Sequence, residues 1–185
     1  MHTHEMATTD MLQWYVLRDL KRANSKTPAY KVLPELGFEI FTPMHWVLKE
    51  ASNGRKQRVF LPFIPSLLFA KSSKPKLDEA VGKIDTLQYR FVKGAPQNTP
   101  MTVPMKAMQD FIRAVGNSKC CNYYAPDEIT PDMIGKRVMI VGGGLEGTTG
   151  NLVKLKGSKK KRLILKLEGL IAATFEIESD YIQFI

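Results

Sequence analysis

Ile134-Gly135-Lys136-Arg137-Val138-Met139-Ile140-Val141-Gly142-Gly143-Gly144-Leu145-Glu146-Gly147-Thr148-Thr149-Gly150-Asn151-Leu152-Val153 is the stretch on which the reading of the fold turns. Val138 and Ile140 mark a first strand by their period-2 spacing. A glycine turn with the bulky Leu145 follows, then Gly147 and Gly150, and Leu152 opens the next strand. Glycine supplies positive φ and close backbone approach at no steric cost, which a small barrel needs where it turns its corners. Working outward, Lys136–Val141, Leu152–Lys156, Arg162–Leu167, Ala172–Ile177 and Tyr181–Phe184 are five short strand candidates, several separated by glycine. Strands this short and evenly spaced predict a small C-terminal β-barrel.

Upstream, residues 116–134 hold Gly116, Asn117, Ser118, Pro126 and Pro131 without periodicity, and read as a linker. Ahead of that linker the pattern is mixed. Strands are expected at Leu12–Arg18, Phe38–Phe41, Leu67–Ala70 and Leu87–Val92, and helices at Ala23–Leu36, Asp78–Ile84 and Met105–Val115. Gly37 suits the first helix as a C-cap, and Pro34 is expected to end that helix early. Two further strands, His45–Lys49 and Gln57–Leu61, flank Asn53-Gly54, a pair that favours a tight hairpin turn with both residues at positive φ. The expected fold is α+β: residues 1–11 disordered, 12–115 a mixed α/β domain with a mainly antiparallel sheet flanked by helices, 116–134 a linker, and 135–185 a small SH3-like β-barrel.

Composition narrows the functional classes. The 185 residues are 44% hydrophobic and 24% charged, with a net charge of +9. Residues 1–113 hold 17 Lys/Arg against 10 Asp/Glu, 114–134 hold 1 against 3, and 135–185 hold 9 against 5. Two basic bodies joined by an acidic connector suit a partner that is polyanionic or bound to nucleic acid. No apolar run approaches the roughly 18–20 residues that span a bilayer. The first ten residues lack an apolar leader core, so a cytoplasmic protein is expected. Cys120 and Cys121 are adjacent, which strains a bridge between them and is not a zinc-site spacing, so two semi-buried thiols are expected. The histidines are His2, His4 and His45, and no Ser-His-Asp, paired-acid or metal-ligand arrangement emerges. Gly142-Gly143-Gly144 precedes a strand-like stretch rather than a helix, which rules out a phosphate-binding loop. The expectation is a protein that is not an enzyme, with no metal and no cofactor.

The 134–153 stretch resembles the KOW motif. The front half carries Trp14-Tyr15-Val16-Leu17, Phe41-Thr42-Pro43-Met44, Pro62-Phe63-Ile64-Pro65-Ser66-Leu67-Leu68-Phe69-Ala70, and a helix introduced by Thr102-Val103-Pro104. In that order these resemble the N-terminal (NGN) domain of NusG-type transcription elongation factors, and with the KOW-like tail the resemblance spans residues 12 to 185 in the family's domain order. Ser66-Leu67 departs from the family's usual Gly-Tyr or Asn-Tyr. The Asn53-Gly54 hairpin, the Ser72–Lys83 tract and the linker bring the chain closer to operon-specialised members of RfaH and UpxY type, the latter regulators of capsular polysaccharide operons.

The resemblance implies an antitermination factor that docks an apolar surface on the clamp helices of the largest RNA polymerase subunit and suppresses pausing. The matching positions are Phe41, Pro43, Phe63, Ile64, Pro65 and Leu67, of which one strand face must be core. It implies contact with non-template DNA through Lys21, Arg22, Lys26 and Lys31 and through the hairpin tip at Arg55, Lys56 and Arg58. Asp78, Glu79 and Ala80 lie where specialised relatives meet the opposite pincer of the polymerase. Gly143, Leu145, Gly147 and Gly150 form the KOW turn, in a barrel that recruits a small-subunit ribosomal protein or a termination factor. One specialised relative refolds this tail into a helical hairpin. The clustered glycines oppose that here, at about 1 kcal/mol each in a helix. The basic run Ser158–Arg162 reads as a solvated turn, or as an RNA contact. The competing reading is a KOW-type RNA-binding or ribosome-associated protein.

Overall fold

The computed structural model describes residues 11–21, 27–96, 98–117, 121–157, 160–177 and 182–185. The chain divides into two compact units, 1–104 and 105–185.

The first unit is built on β1 (Gln13–Asp19), whose run of aromatic and branched residues suits a strand buried on both sides. It pairs antiparallel with β5 (Leu67–Ser72), β6 (Leu87–Tyr89) and β7 (Thr102–Val103), and β5 pairs in turn with β2 (Glu39–Phe41). Alternation gives the sheet two faces. On one, Tyr15, Leu17, Leu68 and Ala70 pack with Leu33 of α1 (Ala29–Glu35) and with Leu77 and Ala80 of α2 (Lys74–Lys83). Each fully buried leucine there contributes about 1.5–3 kcal/mol. The opposite face, with Trp14, Val16, Leu67 and Phe69, is buried as well.

The helices differ from expectation at their starts. Residues 22–26 lie outside the described residues, and α1 begins after Pro28. The Asp19 carboxylate at the end of β1 accepts the first helical N–H, from Ala29, at 2.6 Å. A negative charge at a helix N-terminus is favourable because that end carries unpaired N–H groups. Pro34 sits inside α1 rather than ending it, and the helix stops one residue later. There the Gly37 N–H bonds the Pro34 carbonyl and the Phe38 N–H bonds the Leu33 carbonyl, closing a Schellman cap over the buried Leu33 and Phe38 side chains. α2 starts at Lys74, ahead of the expected Asp78, because Pro75 is tolerated in a first turn.

β3 (Met44–Glu50) and β4 (Lys56–Pro62) form a separate two-stranded ribbon with seven cross-strand pairs. Its turn corrects the sequence reading. Gly54 alone takes positive φ, at 75°, and Asn53 does not. The Gly54 N–H bonds the Ala51 carbonyl and the Ala51 N–H bonds the Arg55 carbonyl, a three-residue loop with a glycine bulge. The Asn53 side chain instead accepts the Arg55 N–H at 3.1 Å.

The second unit opens with α3 (Met105–Asn117), which buries Met108, Phe111 and Ala114. Six antiparallel strands follow: β8 (Cys121–Tyr124), β9 (Ile134–Ile140), β10 (Thr149–Val153), β11 (Arg162–Leu167), β12 (Ile171–Glu176) and β13 (Ile182–Phe184). They lie in the order β13-β9-β10-β11-β12-β8. All five expected tail strands are present, but no pairing closes β13 onto β8 among the described residues, so the sheet path is open. The stretch expected as a linker holds β8, paired to β12, and Ile129, which packs with Val153, Ile164 and Ala172. α3, expected to close the first domain, sits by its contacts in the second unit, on β11, β12 and the Gly143–Leu145 turn.

Candidate functional site

The apolar positions singled out in the first unit come together at the root of the ribbon. Phe41 ends β2, Pro43 lies between β2 and β3, and Phe63, Ile64 and Pro65 form the turn from β4 to β5. The two connections are tied by a hydrogen bond from the Phe63 N–H to the Pro43 carbonyl at 2.8 Å. The Phe63 ring stands edge-on to His45 at 5.2 Å, and Phe41 lies 6.1 Å from Phe69. Pro65 is exposed; Phe41, Phe63 and Ile64 are half-buried; Pro43 is buried.

Leu67 departs from the expected set. It is only 1% exposed and belongs to the core. The expected alternation from Phe63 to Phe69 does not form, because residues 63–66 are a turn. The Leu67 N–H bonds the Ile64 carbonyl at 3.0 Å, with Pro65 at the position where its fixed φ sets a turn.

The basic positions separate into two groups. Arg22 and Lys26 lie outside the described residues. The Lys21 ammonium donates to the Thr27 carbonyl at 2.8 Å. Lys31 lies 5.9 Å from the Tyr30 ring. At the hairpin, Arg55, Lys56 and Arg58 are all exposed, and the Arg58 guanidinium lies 5.3 Å from the Trp46 ring.

On α2, Asp78 accepts from Lys74 at 2.7 Å and from the Tyr89 hydroxyl at 2.9 Å, and Glu79 pairs with Lys83 at 2.6 Å. Ala80 is buried. Burial, and then the bond to Asp78, raise the Tyr89 phenol above its ordinary range. Lys83 holds the Glu79 carboxyl below its own.

In the second unit the glycine turn is built as a short 3₁₀ turn over Gly143–Leu145. Gly147, at φ 75°, donates its N–H to the Ile140 carbonyl at 2.9 Å. Gly150 serves a different need. A Cβ there would lie 2.6 Å from the Ile164 carbonyl oxygen and 3.0 Å from methyls of Leu163 and Leu165, so β10 approaches β11 more closely than any side chain permits. Arg113 of α3 donates to the Thr148 hydroxyl at 2.8 Å, anchoring the helix beside this turn.

The basic run at 158–162 is not a uniformly solvated turn. Residues 158 and 159 lie outside the described residues. Arg162 is buried, donating to the Thr174 carbonyl and hydroxyl at 3.1 Å and to Glu176, its cross-strand partner, at 3.2 Å. Lys160 reaches the same carboxylate at 2.6 Å. The Lys160 hydrogen bond, and then the charges of Lys160 and Arg162, hold the Glu176 carboxyl below its ordinary range. Cys121 is a free, half-buried thiol, and burial pushes it up to about 11.

The sequence reading missed one surface. By alternation, one face of the ribbon carries Met44, Trp46, Leu48 and Glu50 on β3, opposite Pro62, Phe60, Arg58 and Lys56 on β4. Trp46 is 59% exposed, Leu48 61% and Phe60 47%. The Trp46 and Phe60 rings are direct cross-strand partners with centroids 5.0 Å apart. The signal was available in the alternation on either side of the turn, once the loop length fixes the register.

Among the described residues, no three His, Cys, Asp or Glu side chains converge to hold a metal ion, and no helix is long and apolar enough to cross a membrane. The first unit thus joins an antiparallel sheet to a basic two-stranded ribbon with a half-buried apolar root, and a glycine-turned β-unit follows it in sequence. Residues 12–112 match the NusG family, described as transcription termination factor nusG. That span is more than half of the 185 residues, and the chain belongs to the NusG family. Proteins of this family are transcription factors that bind RNA polymerase. The chain is similar to the solved structure described as "Domain interaction in Thermotoga maritima NusG" over 95% of its own length and 98% of that chain, at 14% identity and a TM-score of 0.46. No curated protein matches it.

Proposed function

We propose that the protein is an RNA polymerase-bound elongation and antitermination factor of the specialised RfaH/UpxY kind, acting at particular long operons such as capsular polysaccharide loci. Its NGN-like part docks on the clamp helices of the largest polymerase subunit through Phe41, Phe63, Ile64 and Pro65, with the buried Pro43 holding Phe63 through its carbonyl, and suppresses pausing or termination. The observation that carries this reading is the half-buried apolar root of the ribbon within the family-matched span. Groups held by the fold yet open to solvent are what a groove-and-helix contact requires. Leu67 supports the root from inside the core rather than touching the partner. Arg55, Lys56 and Arg58 at the hairpin approach non-template DNA, with Lys21, Arg22 and Lys26 as further cations near α1. The second unit acts as a KOW-type SH3-like barrel that recruits a small-subunit ribosomal protein or a termination factor.

The test is binding of the full chain to purified bacterial core RNA polymerase, with Ile64→Asp as the variant. Placing a carboxylate in the docked surface without a partner costs several kcal/mol, so binding should fall by at least about 100-fold while the chain stays folded. Equal binding of Ile64→Asp and the parent removes the docking assignment. No binding by the parent, with structured RNA held instead by the second unit, points to a ribosome-associated protein.

A further inference from the structure

On the sheet of the first unit two arginines stand side by side with no acid bonded to either. Arg18 of β1 is the cross-strand partner of Gln88 on β6. The pairing runs on past β6: the Arg90 N–H bonds the Val16 carbonyl at 2.9 Å, and the Arg90 carbonyl accepts the Met101 N–H at 2.7 Å. Arg90 is thus the diagonal neighbour of Arg18, a spacing of about 7–8 Å that long side chains span. Leu17 and Tyr89 pack with the residues of α1 and α2, so by alternation Arg18 and Arg90 share the opposite face of the sheet. Arg18 is exposed and Arg90 half-buried. Among the described residues neither guanidinium meets a carboxylate, a carbonyl or a ring.

Like charges on neighbouring strand positions destabilise a sheet, and a half-buried cation without a partner gives up hydration for nothing. Burial, and then the charge of Arg18, hold the Arg90 guanidinium below its ordinary range. Folding gains nothing from this pair, whereas an anion seated between the two relieves both costs.

The surroundings decide which anion. On its other side Arg18 is the partner of Leu67, and the Asp19 N–H bonds the Ser66 carbonyl at 3.2 Å. The pair therefore adjoins the turn over Ile64, Pro65 and Ser66, at the apolar root. Along β1 it is flanked by the buried Val16 and by Leu20, which is 46% exposed. Two cations on a diagonal offer one anionic position, not the row of cations and stacking rings that a nucleic-acid strand follows. A guanidinium fork matches a planar carboxylate, and arginine beside an apolar patch is the charge that protein interfaces favour.

We infer that Arg18 and Arg90 form a carboxylate clamp at the edge of the docking root: an Asp or Glu of the docked polymerase subunit sits between the two guanidiniums, with the exposed Gln88 amide beside them as a further donor. The clamp rests on the reading of the root as the polymerase contact and adds to it the charge that fixes how the partner lies.

The experiment measures binding of the full chain to purified bacterial core RNA polymerase and, in parallel, thermal melts of the free chain. Arg18→Met and Arg90→Met should each weaken polymerase binding by about 10- to 150-fold, the range for a hydrogen bond to a charged group. Each should melt at the parental temperature or slightly above it, because the remaining guanidinium no longer faces a like charge. A lower melting temperature, with binding reduced only in step, marks a structural role and overturns the clamp. The amine introduced by Arg18→Lys identifies the anion: a carbodiimide couples it to a carboxylate with loss of water, and the product should join position 18 to an Asp or Glu of the polymerase. Coupling that finds no polymerase carboxylate at position 18 overturns the clamp. Undiminished binding by both methionine variants, while Ile64→Asp loses polymerase, overturns the clamp and leaves the root standing. No binding by the parent chain overturns both. Loss of a labelled DNA duplex by the methionine variants, with polymerase binding unchanged, makes the pair a phosphate site and overturns the clamp as well.

Discussion

Replacing Gly150 with alanine should destabilise the second unit more than any other glycine substitution in its turn, because the obstacle is backbone. The added Cβ would stand 2.6 Å from the Ile164 carbonyl oxygen, against 3.4 Å or more for an ordinary contact, with leucine methyls from both neighbouring residues at 3.0 Å. A rotamer change relieves the methyls but not the oxygen. The strands must part by several tenths of an ångström, at Asn151↔Ile164 in the β10–β11 register. Overpacking of this kind costs about 1–3 kcal/mol, and stretching a ladder hydrogen bond adds about 1 kcal/mol. The entropy alanine removes from the unfolded chain returns about 0.4–1 kcal/mol. The net loss is about 1–3.5 kcal/mol, centred a little above 2 kcal/mol. Two companions calibrate it. Gly147→Ala meets nothing within 4 Å but sits at φ 75°, so it should cost about 1–2 kcal/mol, the left-handed penalty alone. Gly116→Ala in α3 meets nothing within 4 Å and has ordinary helical φ, so it should stabilise by up to about 1 kcal/mol. Urea unfolding, with hydrogen exchange in peptides spanning 134–176 to assign the transition, reads all three. A Gly150→Ala protein as stable as Gly147→Ala would refute the close-approach argument.

Two further outcomes follow from the same sheet. Arg162→Met leaves the Thr174 carbonyl without that donor, while Glu176 keeps Lys160 and water, and should cost about 1–3 kcal/mol, the range for a buried acceptor that loses its partner; Glu176→Gln, which keeps an oxygen to accept from the guanidinium, should cost less, and equal losses in thermal melts would sink the assignment. The Cys121 thiol, pushed up to about 11 by burial, keeps its proton in the folded state while the unfolded thiol loses its own near pH 8.5. Between those values the folded state therefore binds more protons and stability falls as pH rises; Cys121→Ser should flatten that limb in melts from pH 8 to 11, and an unchanged slope would deny Cys121 a part in it.

What was legible in the sequence depended on where the determining contact lies. The tail strands were readable because the apolar periodicity of Val138–Ile140 and Leu163–Leu167 is local and the glycines mark the corners. β8 was not, because Cys121-Asn122-Tyr123-Tyr124 has no alternation of its own to separate it from a loop. It is a strand because β12 offers Phe175, Thr174, Ala173 and Ala172 as partners. Arg162 looked like the end of a solvated charge run, since nothing in a run of lysines announces that its last member faces Thr174 and Glu176 across the sheet. Within the apolar set, Leu67 and Ile64 are equally hydrophobic in sequence. Only the turn at Pro65 decides that one enters the core and the other stays half open.

The ribbon orders its surfaces along its length. Its root is tied where Phe63 bonds Pro43 and Met44 faces Pro62; the Trp46–Phe60 pair lies two residues further out, and Arg55 and Lys56 lie at the far end. At about 3.4 Å per residue, the aromatic pair stands about 7 Å from the root and the tip a further 14 Å or so beyond it. Beyond the half-buried root at Phe63 and Ile64 the ribbon is therefore a short arm whose middle is aromatic and whose end is cationic. Seven cross-strand pairs keep that arm in register, and the glycine bulge at Gly54 fixes where it ends. An isolated two-stranded ribbon is marginal in water, so its order depends on the half-buried face of His45, Val47, Val59 and Leu61 and on the bonds at the root. Pro43, although buried, therefore bears on where the arm leaves the unit, because its carbonyl takes the Phe63 N–H that closes the root.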